Sequence, residues 1–271
     1  MSDDELAGMQ AHYARGEEYA RLDSPVGQVE FDRTVETLAD WLPPAPAVVA
    51  DLGGGPGRYT LWLAEHGYTV QHRDLVPLHV EQLQSAVDPG HQVESALGDA
   101  RQVDLANASV DAVLLLGPLY HLRERVDRVL ALSEAGRIVR ADGPIAVAVI
   151  SRWAPRLDGL LAQRLYEPYP EVPALLDRVE SDGVLPSLFP GSFEGYTHRP
   201  DELRAEITDT GLQVEDLVGL EGLAFALSDL AERLADPAGR SAVYASARAL
   251  QRVPELLGLS PHLLALARKR R

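Results

Sequence analysis

Val48-Val49-Ala50-Asp51-Leu52-Gly53-Gly54-Gly55-Pro56-Gly57-Arg58-Tyr59-Thr60 reads as a short apolar strand, a glycine turn and the start of a helix. Apolar residues running into an acid mark a buried strand that ends at a polar edge. Glycines at 53, 55 and 57 permit backbone conformations and a close ligand approach that a Cβ would block. Such a turn binds a ligand, and spacing narrows which one. A Walker A loop closes on Gly-Lys-Ser/Thr, whereas Gly57 precedes Arg58 and Tyr59. The dinucleotide fingerprint begun at Gly53 calls for a small residue where Arg58 stands, which disfavours NAD and FAD and leaves an NAD-dependent oxidoreductase as an alternative. The pattern that fits is Asp-x-Gly-x-Gly-x-Gly, from Asp51 to Gly57.

Upstream, residues 4–41 carry helical periodicity through Tyr13, Tyr19, Leu22, Val29, Phe31, Val35, Leu38 and Trp41. The break at Ser24-Pro25 predicts two helices, an amino-terminal cap over residues 1–46 that Pro43, Pro44 and Pro46 terminate. Downstream, a helix is expected over 58–65 with Gly67 as its left-handed cap, then a strand over 68–73 ending at Asp74. A helix over 77–86 and a strand over 92–97 lead to Gly98-Asp99-Ala100. The unbroken apolar run 110–116 suits a central parallel strand, followed by Gly117-Pro118-Leu119-Tyr120-His121-Leu122, a helix over 123–139 and a strand over 145–150. This alternation predicts a doubly wound parallel sheet that binds ligands at the carboxyl ends of its strands, where Asp51, Asp74, Asp99 and the Gly117 turn all fall. Asp74 follows Gly53 by 21 residues, the offset at which such a sheet offers an acid to ribose hydroxyls; the competing reading is an acid opening the helix at 77–86.

Between 152 and 198 six prolines interrupt short helix-like pieces rich in aromatic residues, which predicts an insertion over the ligand edge or an ordinary surface excursion. Beyond it come a helix over 200–210, a strand over 212–218, helices over 227–235 and 241–252, and a stretch at 262–268 that reads as a strand or a short helix.

Asp51 to Gly57 resembles motif I of the class I S-adenosylmethionine (SAM)-dependent methyltransferases, and the likeness extends through Asp74, Gly98-Asp99 and residues 140–150. Leu114-Leu115-Leu116-Gly117-Pro118-Leu119-Tyr120-His121-Leu122 is most similar to bacterial small-molecule members. The resemblance implies an α/β Rossmann-like, mostly parallel seven-stranded sheet with an antiparallel last strand, over residues 47–271, with an inserted cap at about 152–198. It implies SAM as cofactor. Asp51, Gly53, Gly55, Gly57 and the carbonyl of Gly117 would serve its methionine end, Asp74 and Leu75 its ribose, Asp99 and Ala100 its adenine, and Tyr13 would cover it. His121 is the implied general base, and Tyr120, Arg152, Tyr196 and His198 the candidates for substrate contact. The fourth strand runs into Gly117-Pro118 where metal-dependent catechol-type relatives need a carboxylate, so no metal is expected. The implied reaction is methyl transfer to an oxygen or nitrogen of a small molecule. A SAM-binding regulator, cyclase or isomerase would share every motif.

The composition agrees with a small-molecule partner. A formal charge of −16, from 25 basic against 41 acidic side chains, disfavours nucleic acid and anionic membranes. The chain of 271 residues has no cysteine, which removes thiolate chemistry, and its one lysine, Lys269, is remote from every motif. The acidic start Met1-Ser2-Asp3-Asp4-Glu5 lacks the features of a signal peptide, so a cytoplasmic monomer or homodimer is expected. His12, His66, His72, His79, His91 and His262 show no paired ligand spacing and are expected at the surface.

Overall fold

The computed structural model describes Tyr13, Gly16 and residues 18–270. Of the first expected amino-terminal helix, Tyr13, Gly16 and α1 (Glu18–Arg21) lie within the described residues. The second is α2 (Pro25–Trp41), whose start is set by Pro25 and by Ser24, which accepts a hydrogen bond from the Gly27 N–H at 3.1 Å. The chain then alternates through β1 (Val48–Leu52), α3 (Arg58–Glu65), β2 (Thr69–Asp74), α4 (Pro77–Ala86), β3 (Val93–Leu97), β4 (Ala112–Leu115), α5 (Arg125–Ile138) and β5 (Pro144–Ile150). After the insertion come α7 (Pro200–Asp209), β8 (Leu212–Gly219), α8 (Leu230–Ala235), α9 (Pro237–Leu250) and β9 (His262–Lys269).

Seven strands form one sheet in the order β3-β2-β1-β4-β5-β9-β8, with β9 antiparallel to both β5 and β8. Residues 262–268 thus form a strand, because alternate side chains serve both faces: Leu263, Ala265 and Ala267 pack with α5 and α7, whereas Leu264 and Leu266 pack with α2 and α3. β1, β4 and β5 divide their side chains in the same way. Strand order reverses between β1 and β4, and the crevice above that reversal is where the glycine loop and the Gly117 turn meet. Among the described residues no helix is long and apolar enough to cross a membrane.

The insertion holds a short helical run (154–162), α6 (Val172–Asp182) and a small hairpin of β6 (Val184–Leu185) and β7 (Gly195–Tyr196). It has its own apolar cluster, formed by Leu165, Val172, Leu176, Val179, Leu185 and Leu188.

His262 departs from the surface position expected of it. At the start of β9 it makes a very short contact with Glu221 and lies 3.6 Å from Glu30, which Arg21 in turn holds through two bonds of 2.6 and 3.0 Å. Glu30, Glu221 and His262 bring three ligand-type atoms within 4.8 Å of one another, but these atoms are already answered as ion pairs. Burial alone would lower the His262 pKa; Glu30 and Glu221 outweigh it and raise the value to about 9. A histidine raised in the folded state contributes stability that is fully present below its unfolded pKa and is lost as pH rises through the folded one. The unfolding free energy is therefore expected to fall by about 3 kcal/mol between roughly pH 6.5 and 9 from this group. Urea titrations should show His262→Gln flattening that slope, and a wild-type profile that is already flat would contradict the assignment.

Candidate functional site

The glycine loop is shaped by what stands on either side of it. Gly53 has φ +64, and a Cβ there would lie 2.4 Å from Pro118 Cγ, so the loop packs directly on the turn after β4. Gly55 has φ +57, and its Cβ position meets no atom within 4 Å, so its backbone faces an open cleft. Asp51, at the end of β1, is fully buried; Thr60 Oγ1 donates to its Oδ2 at 2.6 Å, and among the described residues Oδ1 has no donor. Burial pushes this carboxyl above its ordinary pKa, an unfavourable state that a ligand ammonium beside Oδ1 would relieve.

Asp74 fastens the loop from the neighbouring strand. Its Oδ2 accepts the Gly55 N–H at 2.8 Å, while its Oδ1 accepts the Val76 N–H at 2.8 Å and His79 Nδ1 at 3.1 Å. A carboxylate oxygen has two lone pairs, so Oδ2 retains an acceptor site for a ligand hydroxyl. Burial raises the pKa, but the bonds from His79, Val76 and Gly55 outweigh it and hold Asp74 ionised below the usual range. His72 Nε2 donates to the Gly55 carbonyl at 3.0 Å, so both polar groups of that glycine are held. His72 and His79 are buried, contrary to the surface expectation, and position the loop. Neither a histidine inside a strand, as His72 is, nor one in the first turn of a helix, as His79 is, carries a local signal of such a role.

Beyond β3, Asp99 and Ala100 line the same cleft, with the Asp99 carboxylate turned to Arg101 Nη2 at 2.6 Å and to the Arg101 backbone N–H at 2.8 Å. On the opposite wall, the turn Pro118–His121 carries Tyr120 and His121. Tyr13 OH lies 2.8 Å from His121 Nε2, and the Tyr13 ring stands edge-on to His79 at 4.9 Å. Phe193, from the insertion, packs edge-on to His121 at 5.2 Å and to Tyr120 at 5.7 Å, which brings the inserted segment onto this wall. Burial raises the Tyr13 and Tyr120 pKa values, so both phenols stay neutral.

The empty space of the cleft, counted together with the part that opens to solvent, is about 990 Å³. Tyr13, Asp51, Gly53, Gly55 and Asp74 line it, as do Leu75, Asp99, Ala100, Gly117, Tyr120 and His121. Gly57 sits behind the lining, where it caps α3 with φ +89 against Leu83. Sequence reasoning overlooked Glu18, Arg21 and Tyr59 as lining residues, since they reach the cleft from helices that read only as amphipathic.

Arg152, Tyr196 and His198 do not line the cleft and instead fasten the insertion to the sheet. The Arg152 guanidinium is buried, donating to Glu202 at 2.5 Å and to the Thr197 carbonyl at 3.1 Å. Tyr196 lies under Arg128, whose Cζ is 3.6 Å from the ring centroid, and His198 Nε2 meets Glu206 Oε2 at 3.1 Å. Burial lowers the His198 pKa, and Glu206 offsets only part of that. These groups had looked like substrate contacts because they flank the insertion, but each is held by partners inside the protein, His198 through Nε2 while its buried Nδ1 has no partner among the described residues.

Residues 50–147 match the sequence profile of a family described as a methyltransferase domain. Uncharacterised methyltransferases of Mycobacterium tuberculosis and Mycobacterium bovis are 37% identical over 109 residues, 40% of this chain. The match spans 42% of the length of those relatives. Among solved structures, a SAM-dependent methyltransferase of Thermotoga maritima, described as a possible histamine N-methyltransferase, superposes with TM-score 0.61 at 17% identity, over 96% of this chain and 99% of that one. A [4+2]-cyclase superposes with TM-score 0.56 at 17% identity, over 88% and 81%. At these identities the likeness is one of fold.

Proposed function

We infer that this chain, whose residues 50–147 belong to the methyltransferase domain family on a class I SAM-dependent methyltransferase fold, is an enzyme that binds SAM in the glycine-loop cleft. It transfers the methyl group to an oxygen or nitrogen of a small molecule. The observation that carries the cofactor assignment is the pairing of an open αL glycine, Gly55, with Asp51 Oδ1, which has no donor among the described residues, in the same cleft. Asp51 and the loop would hold the methionine end, Asp74 the ribose through Oδ2, and Asp99 with Ala100 the adenine. When bound, SAM supplies a methyl carbon already activated by its sulfonium. The protein then contributes alignment and, for a protonated nucleophile, a base.

His121 supplies that base. With the Tyr13 hydroxyl 2.8 Å from His121 Nε2, the tautomer that can act is the one whose Nε2–H donates to the phenol oxygen, a contact kept in both charge states that leaves Nδ1 to take the proton. General-base catalysis contributes roughly 10²–10⁴ in rate, so His121→Ala is expected to lower turnover about 100-fold or more while S-adenosylhomocysteine still binds. Steady-state rates paired with calorimetry check this, and unchanged turnover would remove His121 from the mechanism. The function itself is tested by incubating the enzyme with methyl-labelled SAM and bacterial small-molecule extract. Label should pass to a low-mass product, and cofactor binding without any transfer would instead favour a non-methylating SAM protein.

A further inference from the structure

We propose that the methyl acceptor is an amine, recognised as an ammonium by Glu18 in the lining that it shares with the neutral phenol Tyr120, and methylated at nitrogen. This rests on the reading of the cleft as a SAM site. Among the described residues the cleft is lined by four carboxylates, Glu18, Asp51, Asp74 and Asp99, and two guanidiniums, Arg21 and Arg58. Both guanidiniums are answered. Arg21 donates to Glu18 at 2.7 Å and to Glu30 at 2.6 and 3.0 Å, and Arg58 donates to Asp23 at 2.9 Å. Around Arg21, the further pair of His262 and Glu221 leaves the cluster of Arg21, Glu18, Glu30, His262 and Glu221 one negative charge in excess.

Tyr120 lines the same cleft as Glu18 and Arg21. Its hydroxyl lies 3.3 Å from the position of a Cβ on Gly117, and its ring contacts His121 at 4.7 Å. Neutral phenol rings and carboxylates attract an ammonium through ring quadrupole and charge, and repel a phenolate or carboxylate nucleophile. The charge change of the reaction follows the same sign. The entering ammonium gives one proton to His121. The nitrogen lone pair then forms the N–C bond as the S–C bond breaks, its electron pair returning to sulfur as a neutral thioether. The N-methylammonium keeps the positive charge that Glu18 favours, and the proton on His121 passes to water. A hydroxyl, which enters neutral and gives its proton to His121, gains no such charge attraction from this lining.

Calorimetry on the protein saturated with S-adenosylhomocysteine tests the idea with three isosteres: tryptamine, tryptophol and indole-3-propionate. The amine is expected to bind about 10-fold or more tighter than the alcohol, the increment of one charge-assisted contact, with no heat from the acid. Glu18→Gln, shown to be folded by its own S-adenosylhomocysteine titration, should reduce the amine's advantage to roughly threefold or less. An equal or stronger response to the alcohol or acid, no response to any of the three, or an undiminished preference in Glu18→Gln overturns the proposal. The wild-type comparison decides the matter even where the variant does not fold. Failure of S-adenosylhomocysteine itself to bind would instead defeat the cofactor reading.

Discussion

Asp74→Ala weakens S-adenosylhomocysteine binding by about 100-fold, an expected loss near 3 kcal/mol that combines a charged hydrogen bond to the ligand with release of the loop. The size follows from the double duty of this carboxylate. Oδ2 accepts the Gly55 N–H at 2.8 Å, and Oδ1 accepts the Val76 N–H and His79 Nδ1 at 2.8 and 3.1 Å. Removing it deprives the ligand of an acceptor and leaves the Gly55 backbone held only by His72. Isothermal titration measures the effect directly, with thermal unfolding alongside to show that the variant is folded. A dissociation constant unchanged from wild type would contradict both roles.

Arg128→Met is expected to lower the unfolding free energy by about 3–5 kcal/mol, because it leaves Glu206 as a buried charge without its main partner. Arg128 and Glu206 are each 2% exposed, and the guanidinium donates to the Glu206 carboxylate at 2.7 and 3.0 Å. It also donates to the Leu122 and Arg123 carbonyls at 2.8 and 2.7 Å, immediately after the turn that carries Tyr120 and His121. The pair therefore ties α7 and the root of the insertion to the wall of the cleft that carries Tyr120 and His121. Replacing both partners, as Arg128→Met with Glu206→Leu, should recover about half or more of the loss, since apolar groups leave no stranded charge. Urea unfolding of the two variants decides this; a single-variant loss below about 1 kcal/mol would mean that Glu206 is solvated or held by His198 alone.

Much of the fold was readable because the strands that build it are buried on both faces and appear as apolar runs. Val48 to Ala50 and residues 112–115 are such runs, and glycines with positive φ stand at 53, 55 and 57 where the turn needs them. The convergence of three acids on one cleft was readable for the same reason: a parallel sheet places the ends of successive strands at one edge, so Asp51, Asp74 and Asp99 meet there without any long-range guess. The remainder depends on pairings that leave no local trace. Arg128 meets Glu206 across 78 positions, and His262 meets Glu221 across 41. Neither sequence neighbourhood differs from that of a solvated charged residue. Arg152, Tyr196 and His198 were misplaced for that reason, while Glu18, Arg21 and Tyr59 enter the cleft from helices whose packing only the assembled sheet determines.

The central claim is that residues 51–57 and Asp74 form a SAM site rather than a dinucleotide site. Parallel calorimetric titrations of the protein with SAM, S-adenosylhomocysteine and NADH test it most directly. Saturable one-to-one binding of the first two and no heat from NADH is the predicted result. NADH binding with no response to SAM or S-adenosylhomocysteine would contradict it.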